Sequence, residues 1–204
     1  MLPSPPLTMA DFLDASSGTW LTRRAVHHLD HQDDEAGDSN LTIEPFNASD
    51  DEIKRICSSL GMPSIQVSGA ARFWWESNFK VGIRREEHAA VVLDAPDSKN
   101  PRQGMLLRDT GYIEKQPVIS HYSFADDGLL TITTHYDSNV GEERCWFVTS
   151  GVRIRVSSVK YLDGVSMTTF CTELRCPSTA QLEAIISEAR QRFPSAAEGA
   201  ATNG

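Results

Sequence analysis

Over most of the chain apolar and β-branched residues alternate with polar ones at period two, in short runs separated by turn residues, a pattern that predicts antiparallel strands. About ten strands can be placed among eleven such runs, near Thr19 to Asp30, Asn40 to Phe46, Gln66 to Glu76, Phe79 to Arg84, His88 to Ala95, Gly104 to Tyr112, Val118 to Phe124, Leu129 to Tyr136, Glu142 to Thr149, Val152 to Tyr161 and Met167 to Arg175. Asp127-Gly128, Ser150-Gly151 and Asp163-Gly164 fall between such runs and supply hairpin turn chemistry. Three segments break the period. Thr8 can cap a short helix over Met9 to Ser17, with Gly18 placed to end it. Ser49 and Glu52 have capping-box spacing ahead of Ile53, Ile56, Cys57 and Leu60, and Gly61 follows. A third helix runs from Ser178 through Leu182, Ile185, Ile186 and Ala189 to Pro194.

No strand alternates with a long helix, so a parallel α/β fold is not expected. A meander of this many strands tends to close on itself, because closure removes exposed edges, and a barrel of eight or more strands can hold a small ligand. The expected fold is therefore mainly β, an up-and-down antiparallel barrel with two or three short helices. Residues 1–8, with three prolines, read as a disordered arm and residues 195–204 as a small-residue tail; 9–176 form the barrel domain and 177–194 the C-terminal helix.

Charge and composition narrow the partners. The chain has 204 residues, long enough to bury roughly 70% of its unfolded surface without a disulfide or metal staple. Its 19 basic and 28 acidic side chains give a net charge of −9, which argues against nucleic acid as a partner. No apolar run approaches the ~20 residues of a membrane span. Cys57, Cys145, Cys171 and Cys176 lack paired spacing, and the N-terminus lacks the features of a secretory signal, so a cytoplasmic location is expected. No nucleophile elbow, HExxH motif, phosphate loop or dinucleotide turn is present.

Parity sharpens the last three strands, since residues two apart share a face. The odd face holds Glu143, Cys145, Phe147, Arg153, Arg155 and Ser157, then Thr169, Cys171 and Glu173 on the final strand. The even face, with Trp146, Ile154, Val156 and Phe170, is apolar. Two readings follow from parity alone: the odd face meets water and carries cross-strand ion pairs, or it is a polar pocket wall whose arginines bind ligand carboxylates and whose glutamates meet NH groups. The first strand carries Trp20, Arg24, His27 and His28, with His31 beyond it, but their irregular spacing gives no metal site. Trp74 and Trp75 are adjacent, so one faces inward, to pack or to stack on a flat ligand.

The stretches FLDASSGTWLTRRAVHHL (Phe12 to Leu29), LLRDTGYIEKQPV (Leu106 to Val118), EERCWF (Glu142 to Phe147), RIRVSS (Arg153 to Ser158) and SMTTFCTE (Ser166 to Glu173) resemble, in order and spacing, the S-type phycobiliprotein lyases, the CpcS/CpeS group. The resemblance covers about four fifths of the chain and implies a lipocalin-like barrel. It implies an enzyme with no prosthetic group, one that binds an open-chain tetrapyrrole (a phycobilin, phycocyanobilin or phycoerythrobilin) as substrate. The pigment would pass to a cysteine of an apo-phycobiliprotein α or β subunit, through a thioether, for the cyanobacterial phycobilisome. It implies Glu143 and Arg153 as catalytic residues, with Arg24, His27, Trp75, Arg155, Ser157 and Glu173 binding the ligand. The family includes homodimers and paired heterodimers of related lyases. Where the family often has a second tryptophan six residues after the first, this chain has Val81. Two other functions need the same barrel: a lipocalin-like carrier of bilin or fatty acid without transferase activity, and a chaperone-like partner of phycobiliprotein subunits.

Overall fold

The computed structural model describes residues 4–29, 34–47, 49–62, 65–77, 85–111, 116–161, 164–176 and 178–192. The chain runs α1 (Met9–Ser16), β1 (Gly18–His28), β2 (Asp34–Phe46), α2 (Asp50–Ser59), β3 (Gly69–Ser77), β4 (Ala89–Pro96), β5 (Gln103–Arg108), β6 (Val118–Phe124), β7 (Leu130–His135), β8 (Asn139–Thr149), β9 (Val152–Tyr161), β10 (Gly164–Arg175) and α3 (Thr179–Arg192). Each strand pairs antiparallel with its chain neighbours, and β1 also pairs with β10, which closes the barrel.

The helix starts follow their caps. Thr8 accepts the Asp11 N–H, Ser49 that of Glu52, and Ser178 that of Gln181. The Glu52 side chain turns outward to Arg72 (3.1 Å). Gly61, at φ +70°, stops α2, and Gly128, at φ +82°, makes the β6–β7 turn. A Cβ on Gly128 would lie 2.3 Å from that of Pro5, so the N-terminal segment packs against this turn.

Several boundaries move. The segment Asp30 to Glu35 reads as an acidic turn, yet Asp34 and Glu35 belong to β2 and pair with His27 and Val26, so β2 begins six residues earlier than its apolar pattern. Cross-strand partners extend the ladder there: His27 Nδ1 is 3.0 Å from Asp34 and His28 Nε2 is 3.2 Å from Glu35. β3 starts at Gly69 rather than Gln66, and Glu86–His88 form a 3-10 turn before β4. β5 ends at Arg108, short of Tyr112. The expected strand Phe79 to Arg84 lies outside the described residues, as do His31, Val81 and Pro194.

The three helices cover different surfaces. α1 closes one end of the barrel, packing Met9, Phe12 and Leu13 on Trp20, Phe124 and Leu130. α2 lays Ile56 and Cys57 over the outside of β3 to β5, against Ala70, Leu93 and Leu107. α3 brings Ile185 to Leu21 and Cys176. No helix among the described residues is long and apolar enough to cross a membrane.

Near the closed end Asp94 is 2% exposed and accepts from Ser68 Oγ (2.7 Å) and Tyr122 Oη (2.8 Å). Burial pushes its carboxyl up, against the pull of these two donors. A group with a raised folded pKa contributes stability that is complete below its unfolded value and lost as pH rises through the folded one. Asp94→Asn removes the ionisation penalty. The melting temperature of this variant relative to wild type should therefore rise between pH 4 and pH 8; a flat difference would contradict the buried-acid assignment.

Candidate functional site

The odd face of β8, β9 and β10 points inward. Arg153 is 2% exposed, Cys145 3%, Cys171 2% and Glu173 0%, whereas Val148 and Phe170 of the even face are 44% and 46% exposed. Of the two readings that parity allows, the polar wall is the one observed. The charges tolerate the interior because opposite signs sit in adjacent register: Arg153 opposite Glu173, and Arg155 between Cys145 and Cys171.

This wall bounds a cavity of about 370 Å³ inside the barrel. Arg24 on β1, Glu143 on β8, and Arg155 and Ser157 on β9 face it from one side. Leu41, Phe73, Val92 and Leu106 face it from the other, with Trp75 beside them. One wall therefore offers cations and a carboxylate, and the other a mainly apolar surface, with Arg108 of β5 at its edge, for a flat ring system.

At the deep end the charges form a connected frame. Arg153 Nε donates to Glu173 Oε2 (2.6 Å) and its Nη1 to Ser16 Oγ of α1 (2.8 Å). Arg155 Nε and Nη2 lie 3.2 and 3.1 Å from Glu173 Oε1, and Nη1 lies 3.4 Å from Glu143 Oε2. Thr22 Oγ1 donates to Glu173 Oε1 (3.3 Å). Burial alone would push the Glu173 carboxyl up, but Arg155 and Arg153 outweigh it and hold it below the ordinary value. The Arg153 guanidinium lies 4.7 Å from the Trp20 ring and 5.9 Å from those of Phe12 and Phe147. Arg175 sits 4.3 Å from the same indole and donates to the Ala15 and Ser17 carbonyls, neutralising the C-terminal end of α1. The Trp20 indole N–H donates to Ser16 O (2.8 Å).

Cys145 and Cys171 also line the cavity. Burial pushes the Cys145 thiol up to about 12 and raises that of Cys171, despite the nearby arginines. Neither is an activated nucleophile. Cys57 and Cys176 are buried under α2 and α3, on the outside of the barrel. Among the described residues no group of three His, Cys, Asp or Glu side chains is placed to hold a metal.

The family comparison decides what this arrangement belongs to, because the CpeS-like protein family matches residues 8–176, from the cap of α1 to the end of the barrel. The chain belongs to the CpeS-like family. It is 55% identical over 190 residues to "Chromophore lyase CpcS/CpeS" of Synechococcus sp. (strain WH8020), covering 93% of this chain and 95% of the relative. Identity is 36% over 167 residues to "Phycocyanobilin lyase subunit CpcS" of Picosynechococcus sp. (strain ATCC 27264 / PCC 7002 / PR-6), with 81% and 84% covered. The solved S-type phycobiliprotein lyase CPES from Guillardia theta superimposes with a TM-score of 0.67 at 28% identity, over 84% of this chain and 94% of that one.

Within this CpeS-like barrel the expected site residues separate into three groups. Arg24, Trp75, Glu143, Arg155 and Ser157 share the cavity. Arg153 lines its deep end and Glu173 lies behind it, their side chains 3% and 0% exposed and engaged with each other. His27 is misplaced by the sequence reading. It is on the outer face, 54% exposed and paired with Asp34, because a strand cannot put residues 24 and 27 on the same side. His28 shares the inner parity of Arg24 and is 17% exposed. Arg108, 5% exposed at the end of β5, also lines the cavity. A charged residue closing the apolar run MLLR, two positions from inward Leu106, was the signal for it. Ser16 and Thr22 carry no such signal, since only the docking of α1 brings Ser16 to Arg153.

Proposed function

We propose that this CpeS-like chain is a chromophore lyase that binds an open-chain tetrapyrrole in its barrel and attaches it by a thioether to a cysteine of a phycobiliprotein subunit. The observation that carries the reading is the two-sided cavity, in which Arg24, Arg155 and Glu143 oppose an apolar wall with Trp75. A bilin has the matching chemistry: two propionates, four pyrrole nitrogens and a flat conjugated face. Arg155 and Arg24 take the propionates, for which a planar guanidinium is suited. Glu143, 24% exposed, meets the pyrrole N–H groups, and Trp75 packs on the ring plane.

Attachment adds a thiol across the exocyclic ethylidene double bond. Sulfur bonds to the exocyclic carbon and a proton enters the conjugated system, so no oxidant or reductant is needed. The attacking thiol is the acceptor's. The lyase contributes positioning, and Glu143 holds the proton that raises the electrophilicity of the bilin. Free thiols at all four cysteines fit a reducing cytoplasm.

The test is reconstitution of the purified protein with phycocyanobilin or phycoerythrobilin and several apo-subunits, with the attachment site read by peptide mass. A covalent, denaturant-resistant chromophore above the no-lyase control is expected. Bilin binding without faster or more selective attachment supports the carrier instead, and subunit binding without bilin affinity supports the chaperone. In the same assay Cys145→Ala and Cys171→Ala should transfer within about twofold of wild type, as expected of buried protonated thiols. Loss of transfer in either folded variant would point to a covalent enzyme intermediate.

A further inference from the structure

We propose that Glu173 is a positioning residue that sets the Arg155 guanidinium for a ligand carboxylate, and that Thr22 and Ser16 hold it in place, rather than Glu173 being itself a ligand of the bilin. The inference rests on the lyase reading and adds how the cavity tells a dicarboxylate from its ester. Glu173 is 0% exposed, and both of its oxygens are occupied. Oε2 accepts from Arg153, and Oε1 from Thr22 and from Arg155 Nε, with Arg155 Nη2 3.1 Å away. A carboxylate has about four lone-pair sites, so a pyrrole N–H reaching this one would have to displace an arginine donor. The same two arginines hold its carboxyl below the ordinary value against the push of burial.

Arg155 is placed differently. Its side chain is 29% exposed and lines the cavity; Glu173 accepts from Nε at 3.2 Å and lies 3.1 Å from Nη2, a closer hold than the 3.4 Å from Nη1 to Glu143. Without that anchor the long side chain would have several rotamers available, and a bidentate contact would bear the cost of ordering one of them. Arg153, fixed by Ser16 and flanked by Trp20, keeps Glu173 from turning toward the cavity. The frame thus runs from the last residue of α1 through β9 and β10 to Arg155, the less buried of the two β9 arginines that line the cavity.

The experiment compares phycocyanobilin with its dimethyl ester by absorbance titration against wild type, Glu173→Gln, Thr22→Val and Ser16→Ala. Wild type should bind the diacid about tenfold more tightly than the ester, as a charge-assisted pair predicts. In Glu173→Gln the diacid should fall to within about twofold of the ester, while the ester keeps its wild-type affinity and its visible band. Equal weakening of diacid and ester, or a shifted band for the bound ester, would make Glu173 a pyrrole ligand and overturn the proposal. So would wild type binding both forms equally. If Glu173→Gln does not fold, Thr22→Val and Ser16→Ala, which keep every charge, carry the comparison: each should lower the diacid preference, and an unchanged preference in both overturns it. Wild type binding neither form would overturn the lyase reading itself, a separate outcome.

Discussion

Arg153→Ala is expected to cost about 3–5 kcal/mol of stability, the range for breaking one side of a buried ion pair, and so to lower the melting temperature by roughly 10 °C in a chain of this size. Glu173 would lose its shortest donor, Ser16 its guanidinium partner, and the rings of Trp20, Phe12 and Phe147 the group packed among them. Arg153→Lys should recover only part of the loss, since an ammonium cannot fork between Glu173 and Ser16. The double variant Arg153→Met with Glu173→Leu should melt well above Arg153→Ala, because neither charge of that pair is left stranded and Arg155, 29% exposed, keeps Glu143. Glu173 adds a pH signature. Its folded pKa is lowered, so its contribution is present above the unfolded carboxylate range and lost as pH falls through the folded value. The stability gap between wild type and the double variant should move against wild type as the pH drops below about 4. A loss of less than about 3 °C for Arg153→Ala would mean that the guanidinium is not committed to the floor.

Glu143→Gln is expected to slow attachment about a hundredfold while bilin affinity changes by less than about threefold, the division expected of a proton-holding group. Glutamine is isosteric and still accepts from Arg155 Nη1, 3.4 Å away, so the cavity keeps its shape. It cannot hold the proton or balance a protonated tetrapyrrole. Single-turnover attachment from a preformed complex at saturating acceptor would measure the rate apart from binding, and the visible band of the bound pigment should move toward that of the unprotonated form. Attachment at the wild-type rate would remove Glu143 from the reaction. A fall in affinity that matches the fall in rate would make it a binding group only.

The contrast between Glu143 and Arg153 marks how far the sequence could be read. Both lie on the odd face, in strands of similar pattern, and the family resemblance gives both a catalytic role. Glu143 faces the cavity at 24% side-chain exposure, while Arg153 is 3% exposed beneath α1. Strand parity assigned each to a face but carried no depth, and depth is set by where α1 closes the barrel. The same limit applies to Ser16, which sits 137 residues from its partner. His27 fails for the opposite reason: its spacing of three from Arg24 puts it on the other face, and the barrel obeys parity where the resemblance did not.

By itself the sequence determined the ten-strand antiparallel meander, the capped starts of the helices, the turns at Gly61 and Gly128 and the grouping of Arg153, Arg155, Glu143 and Glu173 on one face, because these follow from local periodicity and backbone conformation. Only the tertiary structure decided that this face is the inside. Period two divides a strand into two equivalent sides, and closure of β1 onto β10 breaks that equivalence. The neutralising register of Glu173 between Arg153 and Arg155 then makes a charged interior affordable, and the cavity beside that frame turns it into a site.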